Sequence, residues 1–282
     1  LRSIVLRGNI RNSEEKSSPN PAASALELIP NNNESEAKPV CFEIEFYEED
    51  GEEHKFKIHY ELQIDLGTFL EEEYQRKILA EVLEVNGERV FERREGLKVE
   101  NLKVIKDYLS DITEQNAGSI NEIAKSSLNQ EELFLTNGFK LIFSPKFTKL
   151  IVDWFANKFM VIYRADSMQL IKRFADPKKK AVYVEKTTDE AAKLFGINSN
   201  AIGYVVSDDE PDAKLYSIFK NMKDQKTTAI AADIFESYGT IRFINMFPLV
   251  IKAMQTGGTL VVDEFDASIH PMALMSIINV FH

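Results

Sequence analysis

The chain has 282 residues, 44% of them hydrophobic, and a formal net charge of −11 from 34 Lys plus Arg against 45 Asp plus Glu. Length and composition fit a globular protein of one large or two modest domains, and the acidic balance argues against a generally basic nucleic-acid surface while leaving room for a local patch. One cysteine, Cys41, excludes an intrachain disulfide framework, and no run of about 18 apolar residues offers a membrane-spanning helix.

A reducing, cytoplasmic location without a membrane partner is therefore expected. The sequence starts at Leu1 rather than Met, as a processed or excerpted polypeptide would. Residues 1–40 read as a loop-rich connector, because 11–39 are rich in Ser, Asn, Pro and Glu and lack apolar periodicity.

Residues 41–99 alternate as an antiparallel β subdomain should. Phe42, Ile44 and Phe46 share one face, and Phe56, Ile58, Tyr60, Leu62 and Ile64 answer across an acidic turn containing Gly51. A second hairpin is predicted at Asn86-Gly87, residues that accept the positive φ angles of a two-residue turn.

Over 100–176 the period becomes helical, in ENLKVIKDYLSDITEQ, SINEIAKSSLNQEELF and FTKLIVDWFANKFMVI, which predicts a helical subdomain. Trp154 and Phe155 lie in an apolar helix pattern without interleaved basic residues, so they read as core rather than as a base-stacking platform. Lys178-Lys179-Lys180 reads as a solvated loop. Residues 177–282 return to short strands, AVYVEK, AIGYVVS and KLYSIFK, before the segment that carries chemistry.

That segment is ESYGTIRFINMFPLVIKAMQTGGTLVVDEFDASIHP, residues 236–271. Ser237 precedes a helical pattern of Ile241, Ile244, Phe247, Val250, Ile251 and Met254, interrupted by Pro248, and is a candidate N-cap. A helix start beside the small Gly239 can receive phosphate oxygens on its amides. Thr259 to Val262 reads as a buried parallel strand whose carboxyl end would present Asp263 and Glu264 together. Asp263 could hold Mg2+ through water, and Glu264 could orient or deprotonate an attacking water. Pro271 suits the first turn of a further helix.

ESYGTIR, TLVVDEFD and ASIHP together resemble the signature, Walker B and D-loop motifs of the ABC-type AAA ATPases of bacterial abortive-infection and phage-defence systems, relatives of OLD-family and SMC-like heads. The family's signature Glu-Ser-x-Gly-Thr-x-Arg/Lys falls on Glu236, Ser237, Gly239, Thr240 and Arg242. Its acidic pair falls on Asp263 and Glu264, and its following positions on Asp266, Ile269, His270 and Pro271. The resemblance implies an α/β, P-loop-class head in which 177–282 form part of the ATPase core, with the β and helical subdomains as arm and lid.

The resemblance further implies ATP and Mg2+ as cofactors, Glu264 as the catalytic residue, Asp263 as the metal ligand, and Ser237, Gly239, Thr240, Arg242 and His270 as nucleotide contacts. Ser237 and Gly239 would touch the γ-phosphate of an ATP held by a second copy, giving a homodimer that closes on ATP and controls a nuclease or toxin effector. A nucleic-acid partner is left open. His270 is equally readable as an ordinary turn histidine.

A phosphate-cradling Gly-x4-Gly-Lys-Ser/Thr loop is absent from the sequence, since none of its 12 glycines precedes a lysine. The expectation is a portion of a longer ATPase whose P-loop lies upstream. The alternatives are a non-catalytic assembly module that keeps the head fold, and an SMC-like DNA-repair ATPase. No long heptad pattern supports the last of these.

Overall fold

The computed structural model describes residues 1–11, 38–51, 54–67, 76–110, 122, 124–126, 128–162, 182–183, 193, 201–207, 210–220, 226–266 and 269–280. Most of the connector and the lysine run at 178–180 lie outside the described residues. The chain divides into two compact units, Leu1–Ala156 and Asn157–His282. The division falls inside the stretch that sequence periodicity marks as helical.

In the first unit, helix α1 (Arg2–Arg7) precedes a five-stranded antiparallel sheet in sequence order, with β1 Val40–Glu49, β2 Lys55–Asp65, β3 Lys77–Val85, β4 Glu88–Arg93 and β5 Leu97–Val99. Phe46 pairs with Ile58 across the first hairpin, as the alternation predicts. The second hairpin turns at Asn86 (φ 54°) and Gly87 (φ 83°), so the left-handed pair required by the sequence is present.

Alternate β2 residues Phe56, Ile58, Tyr60, Leu62 and Ile64 are buried, so one sheet face forms the core. Helix α2 (Pro145–Asn157) contributes Phe147, Ile151, Trp154 and Phe155 to the same core. Ser144 caps it, its hydroxyl accepting from Phe147 N at 3.1 Å, and Pro145 fills the first helical position where no amide is needed. Trp154 stacks on Phe46 with centroids 3.8 Å apart, and Phe147 meets Phe56 edge-on at 5.3 Å. Such pairs add about 0.5–1.5 kcal/mol each beyond area burial. Trp154 and Phe155 are thus core residues.

One carboxylate sits inside this core. Glu81 is completely buried and accepts from Phe134 N (2.7 Å), Leu135 N (2.9 Å) and the Tyr60 hydroxyl (3.0 Å), with Arg93 at 3.9 Å. It satisfies amides at the start of a π-helical turn, Leu135–Phe139, that no carbonyl of that turn can reach. Burial raises the Glu81 pKa above its ordinary value, against the opposing pull of those hydrogen bonds and of Arg93.

The second unit holds β6 Phe159–Ile162, β7 Val182–Tyr183, β8 Ala201–Ser207, β9 Glu210–Lys220 and β10 Thr227–Ala231. It continues with α3 Ala232–Phe235, α4 Tyr238–Thr256, β11 Thr259–Val262 and α5 Pro271–Val280. Strands β10, β9, β8 and β7 form an antiparallel sheet, while β11 pairs in parallel with β6, Leu260 opposite Met160. The helical reading of FTKLIVDWFANKFMVI is corrected here: the helix stops at Asn157, and Phe159–Ile162 is captured as a strand by β11. Gly258 permits the junction, because a Cβ there would stand 2.5 Å from the Lys158 carbonyl oxygen.

Helix α4 organises the unit's core. Phe243, Ile244, Met246, Phe247 and Val250 pack with Ile162, Ile202, Ile269 and Ile277. The helix continues through Pro248 without interruption, although the proline removes one backbone donor. Strand β11 is parallel as expected but not buried, since Thr259 and Val261 are exposed. Among the described residues its strand partner is β6 alone.

Candidate functional site

Two chain segments, the N-terminal end of α4 and the C-terminal end of β11, carry the residues singled out by sequence. At the first, Ser237 leaves β space with φ −69° and ψ 151° and caps α4, its hydroxyl accepting from Thr240 N at 3.1 Å. The Thr240 hydroxyl lies 2.7 Å from the same oxygen. With Thr240 as donor there, Ser237 keeps its own O–H for an outside acceptor. Ser237 and Tyr238 are exposed at this helix start, whereas Gly239 and Thr240 are buried.

Glu236 lies immediately before the cap. Its carboxylate accepts from the hydroxyl of Ser217 at 2.7 Å, and its amide donates to Ala232 O at 2.7 Å. Sequence reasoning overlooked Ser217. The available signal was a small polar residue within the strand pattern KLYSIFK.

At the second end, Asp263 N donates to Ile162 O at 2.9 Å, extending the parallel ladder one residue past β11. Glu264 then turns into the left-handed region at φ 48°, a conformation costly for a residue with a Cβ. Both acidic side chains are exposed.

Arg242 joins these two ends. It is buried, and its Nη2 donates to the main-chain oxygens of Asp263 (3.1 Å) and Glu264 (2.5 Å). Its guanidinium therefore supports the acidic turn instead of projecting beside Ser237. Thr240 likewise spends its side chain on Ser237. Of the five residues assigned by resemblance to nucleotide contact, Ser237 and His270 are exposed while Gly239, Thr240 and Arg242 lie inside.

His270 begins α5. Its ring Nδ1 accepts from Met272 N at 3.2 Å and its carbonyl accepts from Ala273 N at 2.8 Å, so it serves as a helix cap. Ile269 beside it is buried in the core, Asp266 is exposed, and Ala267 and Ser268 lie outside the described residues. An exposed carboxylate pair of this kind suits Mg2+, which takes one or two carboxylates and completes its shell with water and phosphate oxygens. Among the described residues no helix is long and apolar enough to cross a membrane.

A sequence-family model described as "AAA domain, putative AbiEii toxin, Type IV TA system" matches residues 32–282. No curated protein and no solved structure matches the chain. The mixed α/β architecture with its antiparallel sheet fits the P-loop NTPase-like class to which AAA domains belong.

Proposed function

The chain belongs to this AAA domain family of nucleotide-binding, ATPase-like proteins, and we propose that it supplies the signature and acidic-pair half of an ABC-type ATP-hydrolysing head. The observation that carries the reading is Arg242, which ties the helix capped by Ser237 to the turn bearing Asp263 and Glu264. ATP with Mg2+ supplies the scissile phosphoanhydride and the Lewis acid. Asp263 would hold the metal, and Glu264 would orient and deprotonate the attacking water.

The Ser237 hydroxyl and the leading amides of α4 receive the γ-phosphate of a nucleotide held by a second copy. Association of two copies then depends on that phosphate, and hydrolysis releases it. The family's description names a toxin and a type IV toxin–antitoxin system; on this reading nucleotide-gated dimerisation controls a nuclease or toxin effector in antiviral defence. Thr240 and Arg242 act from inside, orienting the Ser237 hydroxyl and the acidic turn.

A second reading has its own support. None of the 12 glycines precedes a lysine, so a phosphate cradle of the Gly-Lys-Ser/Thr kind has to come from outside these 282 residues. Without such a cradle the fold would serve as an assembly module. Sedimentation of the polypeptide expressed from its own gene, with and without Mg-ATP, separates the two. ATP-dependent association abolished by Ser237→Arg supports the ATPase reading, and association indifferent to ATP supports the module.

A further inference from the structure

We propose that Ser217 is a positioning residue for the phosphate-receiving end of α4, acting by holding the carboxylate of Glu236 away from that end. The inference rests on the assignment of Ser237 as the γ-phosphate contact and adds the device that keeps this contact free.

The physical problem arises from the sequence itself. Glu236 directly precedes the N-cap, and the first amides of a helix have no intrahelical acceptor and carry partial positive charge. A carboxylate one residue away is an internal competitor for those amides. It also repels an incoming phosphate. An acid at this place therefore opposes anion binding unless something holds it elsewhere.

Strand β9 provides the restraint. Ser217 is completely buried, pairs with Ile202 of β8 on one side and Ile230 of β10 on the other, and donates its hydroxyl to Glu236 Oε1 at 2.7 Å. Two residues further along the strand, Phe219 meets Phe235 edge-on with centroids 4.8 Å apart. Adjacent residues 235 and 236 are thus gripped by alternate residues of one β9 face. A central strand is a rigid base for such a grip. It draws the Glu236 carboxylate toward the sheet and leaves the Ser237 hydroxyl and the first two amides of α4, those of Tyr238 and Gly239, to an external anion.

Ser217→Ala removes the donor and leaves a small, foldable side chain. The released Glu236 carboxylate then occupies the helix start, and the Mg-ATP concentration needed for self-association rises on the order of tenfold, a common size for coupling between sites. The decisive readout is the double variant Ser217→Ala with Glu236→Gln, since the neutral amide neither repels phosphate nor competes as an anion. Restoration of association toward wild type in the double variant supports the proposal. Equal or greater impairment in the double variant overturns it and leaves Ser217 a purely structural hydroxyl, as does a Ser217→Ala variant that associates normally. Ser217→Thr, which retains the donor, serves as the conservative control and should stay near wild type; its failing as badly as Ala would also count against the proposal. Failure of the underlying assignment is seen separately, as wild-type association that does not respond to ATP.

Discussion

Arg242, the fifth residue of α4, donates through Nη2 to the main-chain oxygen of Asp263 at 3.1 Å, bridging 21 positions of sequence. The same nitrogen reaches the carbonyl of Glu264, so one buried cation holds the turn that presents both acids. Arg242→Met should leave these carbonyls without their donor, at a cost of about 1–3 kcal/mol for each that remains buried. If Glu264 acts as proposed, hydrolysis should fall at least tenfold while ATP binding survives, the effect of misplacing a reacting group by an ångström or so. Equilibrium unfolding and steady-state kinetics of the same preparation check both parts, and unchanged turnover in a folded variant would remove the arginine from the mechanism.

Ser237 offers a way to separate folding from phosphate recognition. Ser237→Ala should cost about 1 kcal/mol of stability through loss of the cap. Ser237→Asp keeps a good cap and places a negative charge where the γ-phosphate is proposed to arrive, so stability should hold and ATP-dependent association should disappear. Retained association in the aspartate variant would show that no phosphate binds there.

Glu264 stands at φ 48°, where glycine is more comfortable than glutamate. Glu264→Gly should therefore raise stability by about 1 kcal/mol while eliminating hydrolysis, a trade typical of strain stored at a working site. A loss of stability in denaturant titration would mean that the carboxylate makes a structural contribution exceeding the strain.

How far these features could be read from sequence depended on their range. The hairpins were legible because alternation and Asn86-Gly87 are local codes, and the Ser237 cap was legible from the hydroxyl preceding an apolar period. The strand at Phe159–Ile162 was not, since its apolar run continues the helical pattern of α2 and only pairing with the distant β11 decides otherwise. The exposure of Val261 escaped notice for the same reason: an apolar β-branched run signals a strand but not what covers it. The hydrogen bonds of Ser217 to Glu236 and Arg242 to Asp263 cross 19 and 21 positions and have no local signature.

Glu81 gives the first unit a defined pH response. Burial raises its folded-state pKa above the ordinary 4.5, so the folded protein retains the proton to higher pH than the unfolded chain does. The stabilisation this provides is complete below about pH 4.5 and is lost as pH rises through the folded-state pKa. Glu81→Gln should abolish that component and cost about 1–3 kcal/mol, because one amide oxygen cannot serve the donors that two carboxylate oxygens now satisfy. The emission of Trp154, the sole tryptophan, reports unfolding of this unit, and a Glu81→Gln variant with an unaltered pH profile would contradict the assignment.

The most direct measurement is Mg-dependent ATP hydrolysis by the polypeptide expressed from its own gene, beside its Glu264→Gln variant, with association state followed in parallel. The account predicts turnover in the wild type, none above background in the variant, and an ATP-bound dimer that accumulates because it cannot reopen. Equal turnover in the two proteins would contradict the role given to Glu264, and absence of ATP-dependent chemistry and association in both folded proteins would contradict the ATPase reading itself.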